Sequence, residues 1–401
     1  MKPKPFQDAT VEAVMRAFKG SGTRRFLVAD EPGLGKTLVA RQVLSNLSEK
    51  NKLNVLYVCA NQPIAGQNVD QLLGDLPYEE RPSARASADR PGLLPLTDAP
   101  SHERLCIYSL TPGTAFSWDK RRHKGRVQER AFACALLEHE AGFDLPWLRN
   151  TLSWDAGNFE ALLKDHKNQV KNKIQPVDGS FARFFDRFCT AMRGCIKAHD
   201  PVKSHLALKA IVDVNAAGMR LDVTGWCRNS LAAAALGEIE PGLVIFDEFQ
   251  RFRDLMTDTA TARDSAEASI RNILTAKGTG RLLLLSATPY EALRPVVNAK
   301  KVRHVEGTKS EAPATDNDFF RLLEFLLGNR TKVQRGAAMQ AIRDAFSTRE
   351  SEIRRGAPDS ATAKDALADL VTNLSSVMCR TERRVVSGAE LHADPVQERE
   401  G

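Results

Sequence analysis

No apolar run in this sequence approaches the roughly 20 residues that a membrane-spanning helix needs. The longest, "RLLLLSA" at 281–287 and "LAAAALG" at 231–237, fall far short. The N-terminus, "MKPKPFQDAT", lacks a hydrophobic signal region, so neither export nor membrane insertion is expected. Cysteines are scattered at Cys59, Cys106, Cys134, Cys189, Cys195, Cys227 and Cys379, with no C-x-x-C and no histidine at zinc-finger spacing. That pattern argues against a zinc site and for a reduced, cytoplasmic chain. A strong charge of one sign is also missing. The 57 Lys plus Arg against 50 Asp plus Glu leave a net +7, which permits a nucleic-acid partner without requiring one. No internal repeat is apparent.

The 401 residues that remain to be explained can bury a substantial core, as two or three domains or as one domain with large insertions. Residues 6–19 carry Phe6, Val11, Val14, Met15 and Phe18 at helical spacing. Short apolar runs at 24–30, 54–60, 104–110, 242–248 and 281–287 read as buried strands, separated by helix-like segments. Near-continuous apolar strands alternating with helices predict a parallel sheet covered on both faces, in an α/β fold. Such a sheet offers its ligand site at the carboxyl ends of its strands, and the polar signatures fall there.

The first signature is "DEPGLGKT", Asp30 to Thr37, between a predicted strand and a predicted helix. It lacks the first glycine of the general phosphate loop G-x-x-x-x-G-K-[ST], with Asp30 in its place. The phosphate-contacting end is intact. Gly33, Leu34 and Gly35 supply close backbone approach, Lys36 can neutralise phosphate, and Thr37 can coordinate Mg²⁺. The second signature, "LVIFDEFQRF", ends a strand in Asp247 and Glu248. An aspartate there can hold Mg²⁺, and the glutamate after it can orient and deprotonate an attacking water. The third, "LLLLSATPY", ends a strand at Ser286, Ala287 and Thr288.

In this order the three signatures resemble motifs I, II and III of superfamily 2 DEAD/DEAH-type helicases. The Asp-Glu-x-Gly-x-Gly-Lys-Thr form is similar to the Swi/Snf-like branch, which accepts a non-glycine where Asp30 stands. The resemblance implies a RecA-like ATP-binding lobe using ATP and Mg²⁺, with Lys36, Asp247, Glu248 and Gln250 catalytic and Ser286, Ala287 and Thr288 coupling hydrolysis to nucleic-acid grip. It also implies that Gln7, with Phe6 beside it, recognises adenine. "VLYVCANQPIAGQN" falls where motif Ia lies, and "IYSLTP" resembles motif Ib, in which Thr111 would touch nucleic-acid phosphates. Gln250 occupies the slot of the family's usual histidine. Just after motif Ib, "WDKRRHKGRVQER" brings together Lys120, Arg121, Arg122, Lys124, Arg126 and Arg130, either a phosphate-tracking patch or a solvated charged segment.

The expected organisation is a RecA-like lobe in two parts, 1–114 and 241–294, split by a mostly helical insertion at 115–240 that contains Trp118, Trp147, Trp154 and Trp226. A connector at 295–318 and a helical segment at 319–401 follow. No second parallel-sheet pattern and no Q-x-x-G-R-x-x-R segment is found after Thr288. A second lobe is therefore expected in trans or in a longer parent chain, and Arg380, Arg383 and Arg384 are candidates for contacts at the junction. The main expectation is a helicase or translocase lobe acting on DNA. A nucleotide-gated nucleic-acid-binding subunit without productive hydrolysis is the alternative, and a P-loop ATPase outside the helicases is the third reading.

Overall fold

The computed structural model describes residues 4–19, 23–116, 124–154, 156–174, 179–199, 220–249, 251–252, 265–276, 280–286, 318–328 and 330–381. Its centre is a seven-stranded sheet: β1 Arg25–Val28, β2 Leu53–Val58, β3 Arg85–Ser87, β4 Leu105–Leu110, β5 Leu243–Phe246, β6 Arg281–Leu285 and β7 Met378–Cys379. The order is β3-β4-β2-β5-β6-β1-β7, and every pairing is parallel. This is the α/β fold that the apolar runs predict. The five strands read from sequence all form.

Alternation along the strands sends successive side chains to opposite faces. Phe26, Val28, Val55, Ile245 and Leu283 join the core under α1 (Pro5–Phe18), α2 (Lys36–Ser48) and α3 (Gln62–Leu72). Leu27, Leu56, Val244, Phe246 and Leu284 join the opposite core, with residues from helices that come much later in the chain. Because both faces are covered, the strands read as continuous apolar runs rather than alternating ones.

Between β4 and β5 the described residues are helical: a short α4 (Pro112–Ala115), then α5 (Val127–Ala141), α6 (Pro146–Ser153), α7 (Phe159–Lys173), α8 (Ser180–His199) and α9 (Arg220–Ile239). They enclose a separate core in which Phe132 and Phe184 stack with centroids 6.0 Å apart. Among these helices Glu138 is buried yet well satisfied. It accepts from Arg149 Nε at 2.7 Å and from the Leu145 N–H at 2.7 Å, and it pairs with Lys167 at 2.6 Å.

After β5 come α10 (Ser265–Leu274), β6, and then α11 (Asp318–Leu326), α12 (Lys332–Arg354) and α13 (Ala361–Leu374). The chain then returns to the sheet as β7, a strand absent from the sequence reading, which pairs Leu27 with Met378 and Val28 with Cys379. Arg25 fixes this return from the other end of β1. Its Nη1 donates to the Phe325 carbonyl at 2.6 Å, and its guanidinium lies 4.4 Å from the Phe325 ring centroid. Arg25→Ala should lower stability to denaturant by about 2 kcal/mol, since it strips a charge-assisted hydrogen bond from a buried site. Arg25→Lys, which cannot stack as a planar fork, should recover only part of that loss in the same urea titration.

Candidate functional site at the carboxyl edge

The loop after β1 turns through two left-handed glycines, Gly33 at φ 80° and Gly35 at φ 83°. Glycine suits both conformations. At position 35 a Cβ would also collide with the amide nitrogen of Gln7. Gly35 is the N-cap of α2, and no side chain caps this end. Among the described residues the N–H groups of Gly35, Lys36 and Thr37 take no hydrogen-bond partner. Unsatisfied N–H groups at a helix start carry a partial positive charge suited to an anion. The Lys36 ammonium folds back on the loop, donating to the carbonyls of Asp30 at 2.9 Å and Glu31 at 3.1 Å. Burial pushes that ammonium below the ordinary lysine range, and the carboxylates of Asp30, Asp247 and Glu248 push it back up.

Asp30, where the general loop has glycine, is fully buried and accepts the Thr381 N–H at 2.7 Å. The neighbouring backbone is tied in as well, Ala29 N–H to the Cys379 carbonyl at 2.9 Å and Glu31 N–H to the Thr381 carbonyl at 3.2 Å. The non-glycine residue therefore joins the loop to the segment after β7. Arg380 lies in that segment, while Arg383 and Arg384 fall outside the described residues.

β5 delivers Asp247 and Glu248 to the same edge. Asp247 Oδ2 accepts from the Tyr57 hydroxyl at 2.6 Å and from Asn68 Nδ2 at 2.9 Å. Neither donor was singled out from the sequence, although both lie inside "VLYVCANQPIAGQN". The available signal was a tyrosine in an otherwise apolar buried strand, whose hydroxyl must find a partner. Burial and the Asp247 charge push the Tyr57 phenol well above its ordinary range, so it remains a donor. Glu248 has a left-handed backbone, φ 52°, and pairs with Arg251 at 2.7 Å. No group of three or more His, Cys, Asp or Glu able to hold a metal occurs among the described residues. One carboxylate and one hydroxyl, Asp247 and Thr37, are nevertheless the hard oxygen donors that Mg²⁺ takes together with substrate phosphates.

The other expected residues lie as follows. Gln7 is buried against the loop, with Oε1 accepting the Lys4 N–H at 2.8 Å and Nε2 donating to the Leu34 carbonyl at 2.9 Å. Phe6, one residue earlier on α1, is half-buried. Ser286 is buried beside β1, its N–H bonded to the Val28 carbonyl at 3.0 Å. Thr111 is buried at the end of β4, its N–H bonded to Asp89 Oδ1 at 2.7 Å. Lys124 is exposed, with its ammonium 5.8 Å from the Trp154 ring centroid. Arg130 does not belong to a surface patch. It is buried and donates to the carbonyls of Lys124, Gly125, Leu152 and Ser153, because a helix end and a loop there need a cationic donor. Lys120, Arg121, Arg122, Gln250, Ala287 and Thr288 lie outside the described residues, as do Trp118 and most of the connector.

Residues 1–86 match the family described as Type III restriction enzyme, res subunit. The start of the chain is similar to a superfamily 2 helicase lobe. The match contains α1, the loop at 30–37, α2, β2 and α3, and so half of the edge just described. At this level the likeness is to ATP-dependent, nucleic-acid-binding enzymes of the helicase type. Neither the curated proteins nor the solved structures contain a match. No helix among the described residues is long and apolar enough to cross a membrane.

Replacing Asp30 tests its structural role. Asp30→Gly restores the general loop pattern but leaves the half-buried Thr381 N–H without its acceptor, and should cost about 1–3 kcal/mol in a urea titration. Asp30→Asn keeps an acceptor and should cost less. Burial raises the Asp30 carboxyl above its ordinary value. A raised acid favours the folded state at low pH and loses that contribution as pH climbs through its folded value. Wild type should therefore gain stability relative to Asp30→Asn as the pH is lowered from neutral toward the ordinary carboxylate range.

Proposed function

We propose that this chain contains the ATP-binding first lobe of a superfamily 2 helicase or translocase of the Swi/Snf-like type, hydrolysing ATP and acting on DNA. The observation that carries this reading is the convergence at one sheet edge of an uncapped helix start, Lys36, and the Asp247-Glu248 pair whose charges act on it. In this reading the lobe comprises 1–114 and 241–294, with 115–240 inserted into it and 295–318 as connector. The described part of 319–401 returns to the lobe through β7, and the second lobe is supplied in trans or by a longer chain.

The N–H groups of Gly33 to Thr37 would receive the β and γ phosphates, and Lys36 would leave the Asp30 and Glu31 carbonyls to meet them. Thr37 and Asp247 would hold Mg²⁺, which neutralises phosphate charge when bound. Glu248 would take the proton from the attacking water as the γ-phosphoryl separates from ADP, for which it must give up Arg251. Gln7 would border the adenine, and Gln250, Ser286, Ala287 and Thr288 would connect the site to nucleic acid. Thr111, Lys120, Arg121, Arg122 and Lys124 would line the nucleic-acid path, with the net +7 in support.

One observation favours the second reading, a nucleotide-gated binding subunit that does not turn over alone. Glu248 is engaged in an ion pair with Arg251 at 2.7 Å. An arginine finger from a second lobe is worth roughly 10³ to 10⁵ in turnover. The isolated chain should therefore hydrolyse ATP slowly and respond to duplex DNA at low salt.

Steady-state ATPase assays with and without DNA separate the readings. Lys36→Ala should abolish nucleotide binding or turnover. Glu248→Gln should keep binding and lose roughly 10² to 10⁴ in rate. MgATP binding and turnover by Lys36→Ala, both at the wild-type level, would remove the assignment. Binding without turnover under every condition would select the second reading.

A further inference from the structure

We infer that Tyr57 and Asn68 are positioning residues that reserve one oxygen of Asp247 for the protein and present the other to the metal. This inference rests on the reading of the edge as a Mg²⁺-nucleotide site. Three hydrogen bonds close on one point: Tyr57 Oη to Asp247 Oδ2 at 2.6 Å, Asn68 Nδ2 to the same oxygen at 2.9 Å, and Asn68 Nδ2 to Tyr57 Oη at 2.9 Å. The other oxygen, Oδ1, takes no hydrogen bond among the described residues. An aspartate carboxylate otherwise turns freely about its last torsion, which has broad wells. Two donors on Oδ2 remove that freedom.

Each donor is itself anchored. Tyr57 lies on β2 between β4 and β5, paired with Ser109 on one side and Ile245 on the other, and only 2% of it is exposed. Its hydroxyl reaches Asp247, the residue that follows β5. The Asp247 N–H is bonded to the Val58 carbonyl at 2.9 Å, which fixes the backbone under the side chain. Asn68 comes from a different element, α3, so that β2, α3 and β5 all set one carboxylate. A carboxylate can only accept, which requires Asn68 to turn its NH₂ group toward it. The arrangement has the form of outer partners that orient a metal ligand, whose removal typically costs 10- to 100-fold in metal affinity.

The test uses the full chain and a fluorescent methylanthraniloyl-ADP probe, titrated first in EDTA and then with increasing Mg²⁺. Tyr57→Phe keeps the ring and removes only the hydroxyl. Asn68→Ala changes a half-buried position in a helix where alanine is favoured, so it carries the test if Tyr57→Phe does not fold. Both variants should bind the probe in EDTA as wild type does, because the 30–37 loop is untouched. Their Mg²⁺ concentration for half-saturation should rise about 10-fold or more. Asn68→Asp, which sets a like charge against Asp247, should raise it further. Wild-type binding strengthened by Mg²⁺, with the variants unchanged within about twofold, would overturn the positioning role alone. Wild type that fails to bind the probe at all would overturn the nucleotide site, and this inference with it.

Discussion

Parallel pairing is the constraint on which the rest of this structure depends. Because β1, β2, β5 and β6 run the same way, whatever follows each strand emerges at one edge. Asp30 and the loop follow β1, Asp247 and Glu248 follow β5, and Ser286 follows β6, though the loop lies more than two hundred residues before the other two in sequence. The register brings the end of β2 level with that of β5, Val58 opposite Phe246, so that Tyr57 can reach Asp247. An antiparallel sheet would have divided these residues between two ends.

Charge at this edge is partly buried, and the structure satisfies it locally. Lys36 is held by loop carbonyls, Asp30 by the Thr381 N–H, Asp247 by Tyr57 and Asn68, and Glu248 by Arg251. Three of these bonds reach across the fold, whereas among the described residues Lys36 and Glu248 are held by near neighbours in sequence. The groups with structural tasks are thus anchored across the fold, and the groups expected to move are restrained by exchangeable local contacts. Arg25 and Asp30, at opposite ends of β1, fasten the late helical segment to the same sheet.

The five long strands were legible because burial on both faces leaves a continuous apolar run, which sequence shows directly. β3 and β7 were not. Arg85–Ser87 is a short polar edge strand, and Met378–Cys379 completes a helical pattern while pairing across the whole chain with β1. The phosphate-loop pattern was legible from its glycines, but the reason for Asp30 was not, since its partner is 351 residues away. Tyr57 and Asn68 were hidden for the same reason. Arg130 was misplaced because a run of basic residues does not reveal which one turns inward to satisfy carbonyls. In each failure the deciding partner is distant in sequence, or the deciding quantity is burial.

Hydrogen–deuterium exchange on the purified chain, with and without MgATP, addresses the central claim most directly. If the carboxyl edge is the nucleotide site, exchange should slow at the amides of Gly33 to Thr37 and around Asp247, while α5 to α8 of the insertion remain as they were. Slowed exchange elsewhere with no change in the 33–37 loop, at nucleotide concentrations that saturate binding, would contradict the account.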